Sequence, residues 1–139
     1  YGMDEATFDA FVAGCREHPA ATLKRFSLLC TQGSSEARGL ARQLQAAAPH
    51  LAPEVLLAGL EVLGNFDGRS ALQRFAGPQL HLLAGADALV PAEVAGELLA
   101  LQPDIEVGLI EEVSHAFPLE RPHEVAAAIH AFITEAGDV

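Results

Sequence analysis

The chain has 139 residues, 50 % of them hydrophobic, and a formal charge of −11, which is enough for one compact domain with a core of its own and too little for a second. That charge excludes nonspecific nucleic-acid binding, which needs a cationic surface. No run approaches the ~18 consecutive apolar residues of a membrane span, and no basic segment with an apolar run behind it opens the chain, so a soluble, cytoplasmic protein without membrane contact is expected.

The first residues are Tyr1-Gly2-Met3 rather than an initiator methionine, and a piece of something longer is expected. Phe8, Phe11, Val12 and Cys15 then follow helical spacing behind Asp4, an N-cap residue, and Leu23, Phe26 and Cys30 do so behind Pro19, a residue suited to a first helical turn. Gly33 ends this second helix. Ser34 or Ser35 is expected to cap a third, with Leu40, Leu44 and Ala47 inward and Pro49 as its stop. Pro53 opens a fourth carrying Leu56, Leu60 and Leu63 inward, and Asp67 caps a last short turn running through Phe75. Cys15 and Cys30 lie on separate helices without CxxC spacing, and the pattern favours buried free thiols in a reducing compartment.

After Gly77-Pro78 the pattern changes. "QLHLLAG" and "IEVGLI" are short apolar runs with "PAEVAGELLALQ" between them, the signature of a βαβ unit with parallel strands and a right-handed crossover. A helix from Pro122 to about Thr134 closes it, with Val125, Ile129, Phe132 and Ile133 inward. Two strands are too few for an independent sheet, so something else should flank them. The expected organisation is a helical region over residues 1–76 followed by an α/β segment over 77–139.

Charge is unevenly spread along these regions. Five of the eight basic residues (Arg16, Lys24, Arg25, Arg38 and Arg42) fall between positions 16 and 42, whereas residues 75–120 hold eight acids and neither Lys nor Arg. The first third is therefore locally positive on an acidic body. Arg38 and Arg42 are i,i+4 neighbours opposite Leu40 and Leu44, and can present two guanidinium groups to carboxylates or phosphates; on spacing alone they are equally a solvated basic face.

The first apolar run is followed by Asp87 and the second by His115. Loops at the carboxyl ends of parallel strands are where ligands and reactive groups collect, and these two sit one strand apart on the same edge. A carboxylate there can accept the imidazole Nδ1 proton, fix the tautomer and stabilise the imidazolium formed when Nε2 takes a proton from a nucleophile. Spacing alone leaves Asp87 equally a turn residue. Metal binding is not indicated: His115, His123 and Glu124 lack ligand spacing, His130 is two turns from His123, and neither HExxH nor a cysteine pair accompanies them.

The two phrases together are more specific. "GADALVP", followed 28 residues after its aspartate by "SHAFPLERPHEV", resembles the acid and histidine segments of the α/β-hydrolase superfamily. Over nearly its full length, through "AATLKRFSLLCTQGSSEARGLARQL" and "APEVLLAGLEVLGNFDGRSALQRFAGPQLHLLAGADALVP", the chain is similar to the cap and C-terminal half of the pimeloyl-[acyl-carrier protein] methyl ester esterases of biotin synthesis. The resemblance implies the C-terminal part of an α/β-hydrolase behind a helical cap, a serine carboxylesterase without a cofactor, Asp87 as the acid and His115 as the general base. It further implies that Arg25, Arg38 and Arg42 receive the acidic carrier protein, a fourth arginine position of the family being Ala21 here. Phe26, beside Arg25, is the candidate residue for the substrate pocket, although packing in the cap core is the first expectation for it.

The family's G-x-S-x-G nucleophile elbow has no counterpart. The serines are Ser27, Ser34, Ser35, Ser70 and Ser114, and "TQGSSEARG" reads as a helix cap. The expectation is therefore an esterase fragment, inactive alone, whose first strand, Gln79 to Ala84, has an edge open to a separate N-terminal half or a second copy of the chain. A fragment of a generic carboxylesterase and a noncatalytic helical binding module are the other readings. An in-frame G-x-S-x-G upstream of Tyr1 separates enzyme from module.

Overall fold

A computed structural model describes residues 2–48 and 51–137. Helix α1 (Glu5–Glu17) starts at Asp4, whose Oδ1 accepts the Thr7 N–H at 2.9 Å, satisfying one of the amides that a helix start leaves without a partner. Pro19 and Pro53 occupy the first turns of α2 (Pro19–Cys30) and α4 (Pro53–Asn65), where the missing proline N–H costs nothing. Asp67, expected to cap α5 (Arg69–Arg74), lies one residue ahead of the N-cap position, Gly68, and accepts the Arg69 N–H at 3.0 Å from there.

Helix α3 (Ala37–Ala47) departs from expectation at its start. Neither serine caps it; Ser34 Oγ instead accepts the N–H of Glu36, the residue at the N-cap position, and so shapes the turn ahead of the helix. Pro49, its expected stop, lies outside the described residues, and α3 closes with the Ala48 N–H on Leu44 O.

Helices α1, α2, α3 and α4 pack in the pairs α1–α2, α2–α3 and α1–α4. Cys15, Cys30, Leu40, Ala41 and Leu60 are buried among them, and both cysteines are free. The Phe11 and Phe26 rings meet at 4.9 Å between centroids, tilted by 36°. Leu63, expected inward, is 66 % exposed, and Ala47 is exposed as well. Among the described residues helix α4 has one packing partner of any extent, α1, so an apolar residue off that face is left exposed.

Strands β1 (Leu80–Ala84) and β2 (Glu106–Ile110) run parallel, Leu80 beside Glu106 and Ala84 beside Ile110, with α6 (Val94–Leu101) between them in sequence. At their carboxyl ends Ala84, Ile110 and Val113 form a buried cluster, packed by Phe117 and Val125. A short helix, α7 (Phe117–Glu120), precedes α8 (Pro122–Gly137) and was not anticipated by periodicity. On α8 the half-buried stripe is Val125, Ala128, Phe132 and Ala136, whereas Ile129 and Ile133, expected inward, are 43 % and 62 % exposed. A sheet of two strands is narrower than the apolar arc of α8, so only one stripe finds cover. Among the described residues no helix is long and apolar enough to cross a membrane.

Candidate active site

Asp87 and His115 come together at the carboxyl edge of the two strands. His115 Nδ1 lies 2.8 Å from Asp87 Oδ2, with the aspartate side chain 5 % exposed and the imidazole 42 % exposed. The other carboxylate oxygen, Oδ1, accepts the N–H groups of Leu89 and Val90 at 2.8 and 2.9 Å. Asp87 thus folds its own loop with one oxygen and holds the histidine with the other. An ionised carboxylate only accepts, so Nδ1 carries the proton. Among the described residues Nε2 bonds to no protein group, which leaves it free to take a proton from a nucleophile.

Three backbone ties fix the two loops to each other and to the helices. The Ala86 N–H donates to Val113 O at 2.9 Å, the Gly85 N–H to Ile110 O at 2.8 Å, and the Ala116 N–H to Cys30 O at the end of α2 at 3.1 Å. Gly33, at φ +95°, lies directly against Ala86: a Cβ at position 33 would stand 2.5 Å from Ala86 O. The Cys30 thiol is pushed up from its ordinary pKa by burial and then by the Asp87 carboxylate, so it stays a protonated core group beside the site.

The resemblance-derived surface residues fall elsewhere. Arg38 and Arg42 are both exposed on α3, whose opposite side buries Leu40, and Arg25 is exposed on α2. Arg25 and Phe26 line a cleft of about 290 Å³ together with Met3, Thr7, Phe11 and Leu29. Neither Asp87 nor His115 lines it, and Phe26 also stacks on Phe11. A hollow of about 1020 Å³ between α5 and α6, lined by Phe66, Leu72, Phe75, Leu98 and Leu101, likewise excludes the Asp87–His115 pair.

Sequence reasoning missed Glu120. Its carboxylate accepts the Ser114 N–H at 2.9 Å and the Ser114 hydroxyl at 3.3 Å, next to His115. The one signal in the sequence was Pro118, which marks a helical first turn and is too little to reveal a four-residue helix.

Comparison with known proteins bears on the fold. Solved structures share the fold: a bromoperoxidase from Bacillus anthracis superposes with a TM-score of 0.83 at 23 % identity, covering 95 % of this chain and 50 % of that one. An esterase from Exiguobacterium antarcticum superposes at 0.84 with 16 % identity, over 96 % of this chain and 50 % of that one. The chain has the fold of the C-terminal part of an α/β-hydrolase, two parallel strands with flanking helices behind a helical region. More particularly, it is homologous to pimeloyl-[acyl-carrier protein] methyl ester esterases. That of Aromatoleum aromaticum is 33 % identical over 132 residues, 93 % of this chain and 53 % of the esterase, and that of Serratia marcescens is 37 % identical over 115 residues, 81 % and 45 % respectively. The biotin biosynthesis bifunctional protein BioHC of Teredinibacter turnerae is 34 % identical over 138 residues, 97 % of this chain and 24 % of that protein. The chain spans about half the length of the esterases it matches. No family model matches it.

Proposed function

We propose that this chain is the cap and C-terminal portion, residues 1–76 and 77–139, of a serine carboxylesterase that hydrolyses a carrier-protein-bound methyl ester in biotin synthesis, in the cytoplasm. The observation that carries the reading is the 2.8 Å contact of His115 Nδ1 with a nearly buried Asp87, in a chain homologous to esterases of that substrate. A serine on the N-terminal half attacks the ester carbonyl, His115 Nε2 takes its proton and returns it to the departing methanol, and water then releases the acid by the same route. Asp87 holds the ring throughout. Arg25, Arg38 and Arg42 receive the acidic carrier, and Phe26 borders the cleft that takes the acyl chain.

The chain alone is inactive in this reading, because an imidazole without a positioned nucleophile or oxyanion donors stabilises little of the transition state. The N-terminal half pairs with the open edge of β1 and covers apolar residues such as Leu63, Ile129 and Ile133, all exposed in the chain by itself. The test mixes the 139-residue chain with a separately produced N-terminal half of a matching esterase carrying G-x-S-x-G. Hydrolysis of an activated ester is expected only in the mixture and is lost with His115→Ala; turnover by the chain alone that His115→Ala abolishes overturns the proposal. In the active mixture, Arg38→Glu with Arg42→Glu, or raised salt, should weaken carrier-linked esters much more than small free esters. Equal weakening of both removes the docking role.

A further inference from the structure

His115 enters none of the backbone hydrogen bonds formed among the described residues, so its placement depends on its neighbours. Both neighbours lead to one carboxylate. Ser114, fully buried, gives its N–H to Glu120 Oε2 at 2.9 Å and its hydroxyl proton to Glu120 Oε1 at 3.3 Å. The same hydroxyl oxygen accepts the Ala116 N–H at 3.2 Å, from the residue that follows the histidine. Glu120 itself is set by α7, whose turn is held by the Phe117 N–H on Ser114 O, at 3.0 Å, and the Leu119 N–H on Ala116 O, at 2.9 Å. The loop is therefore gathered around a carboxylate, with the imidazole outside and the Ala116 N–H shared between Ser114 Oγ and Cys30 O, at 3.1 Å, on α2.

We infer that Glu120 is the positioning residue that holds the His115 loop in register with Asp87, through the buried Ser114. Hydrogen bonds to an ionised acceptor are shorter and roughly twice as strong as neutral ones, and a buried N–H without a partner is expensive. Ser114 therefore cannot leave Glu120 cheaply, and while it stays the backbone from which His115 reaches Asp87 keeps its place. Glu120 touches no reacting atom in this arrangement. The inference rests on the His115–Asp87 pair described above and gives that pair a second support from the far side of the loop.

The experiment reads the ring rather than turnover. Long-range proton–nitrogen NMR on the 139-residue chain, at a pH where the imidazole is neutral, reports which ring nitrogen is protonated. A free imidazole favours the Nε2–H form, whereas pairing with Asp87 requires Nδ1–H. The wild-type chain is expected to show mainly Nδ1–H, Glu120→Ala to lose that preference, and Glu120→Gln, which keeps one acceptor of the same shape, to shift part way. An unchanged tautomer population in folded Glu120→Ala overturns the inference; where the alanine variant does not fold, an unchanged population in folded Glu120→Gln does so. A wild-type ring without the Nδ1–H preference overturns the His115–Asp87 pair itself, which is a different failure from that of Glu120.

Discussion

Gly33→Ala is expected to be costly for reasons that can be worked from the backbone. Gly33 has φ +95°, in the region that L side chains rarely adopt, and an added Cβ would stand 2.5 Å from Ala86 O and 2.8 Å from Ala86 Cβ. Holding a residue with a side chain in a sparsely populated backbone region costs about 1–3 kcal/mol. Moving a packed neighbour costs about 1–3 kcal/mol more. Ala86 cannot move freely, because its N–H is bonded to Val113 O and it adjoins Asp87. The two effects together give a loss on the order of 2–6 kcal/mol, measured as the change in urea midpoint at constant slope. Gly59→Ala is the internal control: Gly59 lies inside α4 with open space where a Cβ would go, and alanine there should stabilise by about 0.5–1 kcal/mol. The same chemical change is thus predicted to have opposite signs at two positions. A Gly33→Ala variant within about 0.5 kcal/mol of wild type, the scatter of ordinary surface changes, would refute the close approach of position 33 to the Asp87 loop.

Two further outcomes test other parts of the chain. Thr22 Oγ1 is buried without a hydrogen-bond partner among the described residues, so Thr22→Val, which keeps the shape and removes the orphaned hydroxyl, should raise stability by about 1 kcal/mol; a loss of that size would mean that the hydroxyl has a partner. The Arg69 guanidinium, hydrogen-bonded to Asp67, together with the Arg69 N–H, holds the Asp67 carboxyl down at about 2. A depressed carboxyl pKa contributes stability that is present above the ordinary value of 3.8 and is lost as the pH falls through about 2. The side chains are exposed and the stability at stake is small, so the check is the Asp67 midpoint by NMR, which should rise in Arg69→Gln and would contradict the pairing if it stayed put.

Much of this structure could be read from residue types because each sign has a local physical cause. Asp4, Pro19, Pro53 and Pro122 mark helix starts through capping and the fixed proline φ, and two apolar runs separated by a helix fold into a parallel pair. The meeting of Asp87 and His115 followed from topology, since both lie just past the carboxyl ends of neighbouring strands. What escaped was set by tertiary context. Ile129 and Ile133 share the helical periodicity of Val125 and Phe132, yet only the latter two are half-buried, because the width of the sheet, not the helix, decides which stripe is covered. Glu120 escaped because its partners include a backbone N–H, whose direction no residue pattern encodes, and because α7 has only four residues. Ser34 lies where a capping residue belongs, but its oxygen meets an N–H one step before the helix.

The division of supports between the two members of the pair has a consequence for how the site is built. Asp87 is held by its own loop, through the Leu89 and Val90 amides, whereas His115 is held by others, through Ser114 to Glu120 and through Ala116 to Cys30 at the end of α2. Every one of these supports lies within this chain. Asp87 and His115 can therefore take up their mutual geometry within this chain alone, so that in the proposed esterase the other half has to supply the nucleophile and the oxyanion donors but not the alignment of the ring. The cost of aligning the imidazole is met during folding of the chain rather than at assembly, and this makes complementation from separate halves a realistic assay. The tie from Ala116 to Cys30 also connects the His115 loop to α2, the helix that bears Arg25.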